Sequence, residues 1–97
     1  MRPLLPADLD LAARVLLALP AARRRAEMDV LLQHAIEAET FRQATGRVHP
    51  GHGDGSLLSI ALGRPRARPA CADREYRRCL GIVLERISLS EQVDQGL

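Results

Sequence analysis

Aromatic residues are almost missing from this chain. Phe41 and Tyr76 are the only two among 97 residues, and there is no tryptophan. Any core must therefore be aliphatic, and stacking of nucleobases on an aromatic platform is disfavoured. Lysine is absent, so all 14 basic residues are arginine. Cysteine is scarce: Cys71 and Cys79 do not make a disulfide framework, and reduced thiols in a cytoplasmic setting are expected. No run approaches the roughly 18 apolar residues of a membrane span. The opening MRPLL…LALPAA imitates a signal peptide, but Asp8, Asp10 and Arg14 interrupt its apolar stretch. No segment alternates like a strand over more than a few residues, and there is no internal repeat.

What is present reads as helix. Apolar residues make up 46% of the chain, ordinary for a globular protein and too rich for a disordered one. The spacing predicts a first helix over 6–19, with Pro6 in its first turn and Asp8 and Asp10 near its positive end. Pro20 ends it and opens a second, 20–45, stopped by Gly46. Its inward stripe is Met28, Leu31, Leu32, Ala35, Ala38 and Phe41, with Val30 and Ile36 to either side. Ser56 is an N-cap for a short helix, 57–62, stopped by Gly63. Residues 64–70, RPRARPA, are expected to be extended. Asp73 caps a last helix, 74–89, whose inward face is Tyr76, Cys79, Leu80, Val83, Leu84 and Ile87. The expectation is an all-α domain over 1–89, a small bundle of three main helices plus one short one, with Leu31, Phe41, Leu80 and Val83 in the core. Residues 90–97 are expected as a flexible tail.

The net charge of +2 is unevenly spread. Residues 1–20 and 21–45 are each neutral, 46–78 carry +4 and 79–97 carry −2. Arg64, Arg66 and Arg68 lead into Arg74, Arg77 and Arg78. Planar guanidinium groups suit phosphates and carboxylates, so an anionic partner is expected here, either DNA backbone or an acidic protein face. The alternative is a solvated surface of local ion pairs. No polar recognition helix of a helix-turn-helix is present, so DNA contact would not be base-specific.

The most distinctive loop is His49-Pro-Gly-His52-Gly-Asp54. Two imidazoles and a carboxylate could contribute to a divalent-ion site, with a further ligand recruited from His34 or Cys71. The expected reading is a structural turn, with no metal and no cofactor. Gly51, Gly53 and Gly55 lead to a helix N-terminus without the lysine or preceding strand of a phosphate loop. Catalysis is not expected. Cys79 falls on an apolar face, no base is paired with Cys71, and Glu37 and Glu39 point different ways. The broad apolar surface of the second helix predicts a homo-oligomer formed through Met28, Val30, Leu32 and Ile36.

The run from Ala44 to Pro50, followed by Gly53-Asp54-Gly55-Ser56-Leu57, resembles short hypothetical proteins of alphaproteobacteria, particularly the Rhodobacter group. With the LALP turn at 17–20, that likeness covers most of residues 5–89. The size, long helix and arginine-rich segment are also similar to the small terminase of bacterial gene transfer agents. That resemblance implies a DNA-packaging component that assembles into rings and contacts a large terminase motor. Phage small terminases commonly carry an N-terminal helix-turn-helix, which this chain lacks. The other readings are a regulator binding a transcription or signalling protein, and a metal- or ligand-binding module built on the histidine loop.

Overall fold

The computed structural model describes residues 1–68 and 73–95, the side chains of 93–95 excepted. Four α-helices form a small bundle: α1 Pro6–Leu17, α2 Arg24–Thr45, α3 Leu57–Leu62 and α4 Arg74–Gln95. Among the described residues there is no strand, only one isolated bridge between His49 and Gly53. None of the described helices is long and apolar enough to cross a membrane.

Local chemistry sets most boundaries. Pro6 begins α1, and the Leu5 amide donates to Asp8 Oδ2 at 2.7 Å, the carboxylate half of a capping box. Gly46 ends α2 at φ +71°, where its N–H reaches the Arg42 carbonyl at 2.7 Å. The Ser56 hydroxyl accepts from the Ser59 amide and opens α3. Asp73 Oδ1 accepts from the Glu75 amide at 2.8 Å and opens α4.

Three boundaries differ from expectation. α1 stops at Leu17, because the Leu19 amide turns back to the Leu16 carbonyl. Pro20 does not start α2. Its carbonyl accepts from the Arg23 amide, making one 3-10 turn over Ala21–Arg23 before α2 begins. The expected tail is instead helix as far as Gln95, since no glycine or proline interrupts the chain between Gly81 and Gly96.

The helix directions follow from their contacts. Arg24 meets Glu75, Asp29 meets Arg86, and Ile36 shares a groove with Leu89 and Ser90, so α2 and α4 run the same way. The Tyr76 hydroxyl donates to Asp10 at 2.5 Å while Leu4 sits by Ile87, so α1 runs against them. The core lies where the three meet over α3. Leu16, Met28, Leu31, Leu57, Cys79 and Val83 are fully buried there, and Ala12, Ala13, Ala35 and Ala61 let the backbones approach.

Leu31 and Val83 are core as expected. Phe41 and Leu80 are only half-buried, and Leu84 is 47% exposed, on the outer rim of α4. The expected self-association surface is also corrected. Met28 is 0% and Leu32 3% exposed, both covered inside the chain's own core, so neither is available to a second copy. Val30 is 39% exposed and Ile36 half-buried.

Candidate functional site

The parallel course of α2 and α4, against α1, gathers three helix ends at one end of the molecule. Arg14, Arg23, Arg24, Arg25, Arg64, Arg66, Arg68, Arg74, Arg77 and Arg78 belong to these ends and to the segment beside them, against Asp10, Glu27, Asp73, Glu75 and Glu85, the last 3.3 Å from Arg25. That end carries +5, and the rest of the chain −3. The N-terminal dipoles of α2 and α4 add to the positive potential. The expectation from sequence covered only six of these arginines, because it grouped residues by chain position.

Several of the ten are structural. Arg24 is buried: its Nε donates to the carbonyls of Leu16 at 3.0 Å and Leu19 at 3.1 Å, and its Nη1 to Glu75 Oε2 at 2.9 Å. It thereby gives the Leu19 carbonyl, in the turn after α1, a donor and adds a second donor to the Leu16 carbonyl, which already accepts from the Leu19 amide. Glu75 is held below the usual carboxylate range, first by this hydrogen bond and then by the charges of Arg78 and Arg24. The Arg14 guanidinium donates to the Ala67 carbonyl at 2.8 Å, while the Ala67 amide donates to the Arg14 carbonyl at 3.0 Å. This pair ties residues 64–68 across α1. Arg64 is paired with Glu27, and Arg78 with Glu75.

Other arginines keep their charge exposed. Arg23, Arg68 and Arg74 have no partner among the described residues, and Arg66 has only a 3.4 Å contact to the Leu62 carbonyl. Arg77 is exposed and makes an interaction of its own. Of the six expected arginines, Arg64 is therefore the least available, and Arg23 joins the set.

The histidine loop makes a second constellation at the C-terminal half of α2. Its rings stack face to face: His49 on His52 with centroids 4.4 Å apart, and His52 on His34 of α2 at 4.0 Å, with planes within 8°. Phe41 meets His49 edge-on at 5.1 Å. His49 Nδ1 accepts from the amides of Gly51 at 2.9 Å and His52 at 3.0 Å. His52 Nε2 lies 3.3 Å from Glu37 Oε2. Nδ1 of His34 and of His52 are shut off from solvent and have no hydrogen-bond partner among the described residues. Burial, and then the charges of His52 and Arg64, lower the His34 pKa against the opposing pull of Glu37 and Glu27.

Asp54 is turned to another task. Its Oδ1 accepts from the Ser56 amide at 2.9 Å and hydroxyl at 2.7 Å, bonds that hold its pKa down. Among the described residues no three His, Cys, Asp or Glu side chains are grouped to hold an ion. His34 was named from sequence only as a distant recruit, and no local signal shows that it joins the loop.

A cleft of about 750 Å³ separates the N-terminal segment from the end of α2, with Arg2, Leu5, Thr40, Arg42 and Leu58 on its walls. Its buried acids are already satisfied. Glu39 pairs with Arg42 and lies 3.8 Å from Arg2, and Asp8 accepts from the Leu5 and Leu58 amides. Cys79 is buried, which pushes its thiol pKa up and makes it a poor nucleophile. Cys71 lies outside the described residues.

A family model, a domain of unknown function (DUF7742), matches residues 2–87. The chain belongs to that family. The matched span holds both the arginine-bearing end and the histidine stack, so both lie within the family's domain. No curated protein and no solved structure matches the chain.

Proposed function

We propose that this domain is a non-catalytic adaptor whose arginine-bearing end holds a polyanion, with duplex DNA backbone the concrete partner. The observation that carries this reading is the +5 pole, assembled from three helix ends and the segment 64–68, and retaining exposed guanidinium groups at Arg23, Arg66, Arg68 and Arg74. Exposed charge of one sign at one end attracts an anion by long-range steering and by release of its counterions. The absence of stacking aromatics at that end, where Tyr76 is turned into the core, favours backbone contact over base reading. Within this reading, the packaging role implied by the small-terminase likeness is a natural setting: a component that holds DNA without selecting sequence and passes it to a protein motor. Self-association is the secondary part, with only Val30 and Ile36 left of its four expected positions.

The test is duplex binding across a salt series. The wild-type chain should bind unrelated duplexes alike, with log K falling by about 0.9 per phosphate contacted for each decade of salt. Changing Arg23, Arg66, Arg68 and Arg74 together to Ser should flatten that slope by about 3–4 and leave the fold intact. Arg47→Ser, in the loop at the opposite end, should change little. A wild-type chain with no salt-sensitive DNA binding, yet one that captures an acidic protein, would instead favour the regulator reading.

A further inference from the structure

The stack of three imidazoles is not explained by polyanion binding at the other end, and its hydrogen bonding is specific. His49 Nδ1 closes the loop by accepting two amides, which requires an unprotonated nitrogen there. His52 and His34 each keep Nδ1 in a place with no acceptor, so a proton added to either would sit there as an unpaired N–H. His52 lies between the other two rings, 4.0 Å from His34 and 4.4 Å from His49, where neighbouring positive charges repel. The hydrogen bonding of the stack thus fits an unprotonated Nδ1 on each ring.

We propose that His34, His49 and His52 form a proton-operated latch, which holds the loop of residues 46–55 against α2 while neutral and releases it on acidification. The charges around the stack come from every element packed on it. α2 presents Glu37, and more remotely Glu27, both favouring a charged ring at His34. Arg64, from the segment after α3, acts against it. The loop itself contributes Arg47 and also Asp54, whose carboxylate is held by Ser56 and lies 3.6 Å from Arg2. Glu37 is the one acid within reach of a ring nitrogen, and it contacts Nε2 of His52, leaving each Nδ1 unaided. The unfolded chain takes up a proton at an ordinary imidazole near pH 6.5. The folded His34 takes one up only at lower pH. Stability is therefore present above about pH 6.5 and falls as the pH drops from there through the folded value. The outer part of the loop, held to α2 through the ring stack, is the part that yields first, whereas Gly55 is buried and accepts from the Arg2 amide at 2.8 Å.

Hydrogen exchange of the Gly51 and His52 amides reads the latch directly, since both depend on His49 Nδ1. Their protection should fall at least about tenfold between about pH 7.5 and about pH 5, while the amide of Leu31 in the core keeps its own. His49→Asn offers an oxygen where Nδ1 stood and does not titrate, so in that variant the fall should shrink to about threefold or less. Protection that is unchanged in the wild type while the rings titrate overturns the proposal. So does an equal fall in His49→Asn. Should that variant not fold, the wild-type comparison alone decides.

Discussion

At Arg24 one side chain of α2 both closes the turn after α1 and ties α4, reaching the carbonyls of Leu16 and Leu19 and the carboxylate of Glu75. Arg24→Met keeps the apolar stem and removes all three bonds. It should lower stability by about 2–3 kcal/mol, because buried carbonyls lose a charged donor. It should also let the Glu75 pKa rise towards the ordinary carboxylate range in an NMR titration, since that hydrogen bond is the first cause of its depression. The sign follows: a depressed carboxylate stabilises above its unfolded pKa and loses that contribution as pH falls, so the variant should be less acid-sensitive in this window. Glycines give a second residue-scale contrast. A Cβ at Gly46 would meet nothing within 4 Å, whereas one at Gly55 would stand 3.0 Å from Glu39 Cα and 2.8 Å from its Oε2. Both have positive φ, so Gly46→Ala should cost about 1 kcal/mol and Gly55→Ala clearly more. Thermal melts order the two. Ser56, Gly46 and Asp73 were legible in the sequence because each cap acts within three or four residues of itself. Arg24 was not, because its carboxylate partner lies 51 residues away.

At the scale of the helices, apolar spacing located the elements well and their buried arcs less well. On α4, Val83 and Leu84 are adjacent and both were expected to face inward, yet the first is fully buried and the second nearly half exposed. A broad apolar arc says that a helix packs, while the neighbours decide how much of the arc they cover. Leu31→Ala in α2 should therefore cost about 2–5 kcal/mol in denaturant unfolding, and Leu84→Ala less than about 0.5. Equal losses would contradict the packing described. The end of α4 was misread for a different reason. The run 90–95 is mostly polar, which reads as tail, but no helix breaker stands before Gly96. The continued helix lines a groove with Ser90 and Glu91 beside Met1, Pro3 and Leu4. A chain stopped after Leu89 should melt lower and lose helical signal, where a frayed tail would leave both unchanged.

For the whole molecule, the main result is that sequence blocks and spatial blocks differ. The basic block 46–78 is divided by the fold: Arg47 goes to the histidine loop, and the rest joins Arg14 and Arg23–Arg25 at the far end. A +4 segment thus becomes part of a +5 pole, which no linear charge count reveals. The chain itself supplies most of the cover for the stripe of α2, since Met28, Leu31, Leu32 and Ala35 pack into the common core while Phe41 stays half-buried. Val30→Glu should then leave fold and stability nearly untouched, and sedimentation at high concentration shows whether it alters the oligomeric state. Met28→Glu should unfold the chain, since it places a charge in the core.

The tie between Arg14 and Ala67 carries one more consequence, for digestion. Trypsin cuts after arginine, but poorly before proline, and Arg64 and Arg68 both precede prolines. The bond left in this strap is Arg66–Ala67, and its amide is the one that donates to the Arg14 carbonyl. A protease must draw its substrate into an extended form, so it must first peel the strap from α1. Under native conditions the fragment pair 1–66 and 67–97 should accumulate slowly. Arg14→Leu, which keeps the carbonyl and loses the guanidinium, should release that pair about tenfold faster, as removing a charged hydrogen bond of 1.5–3 kcal/mol implies.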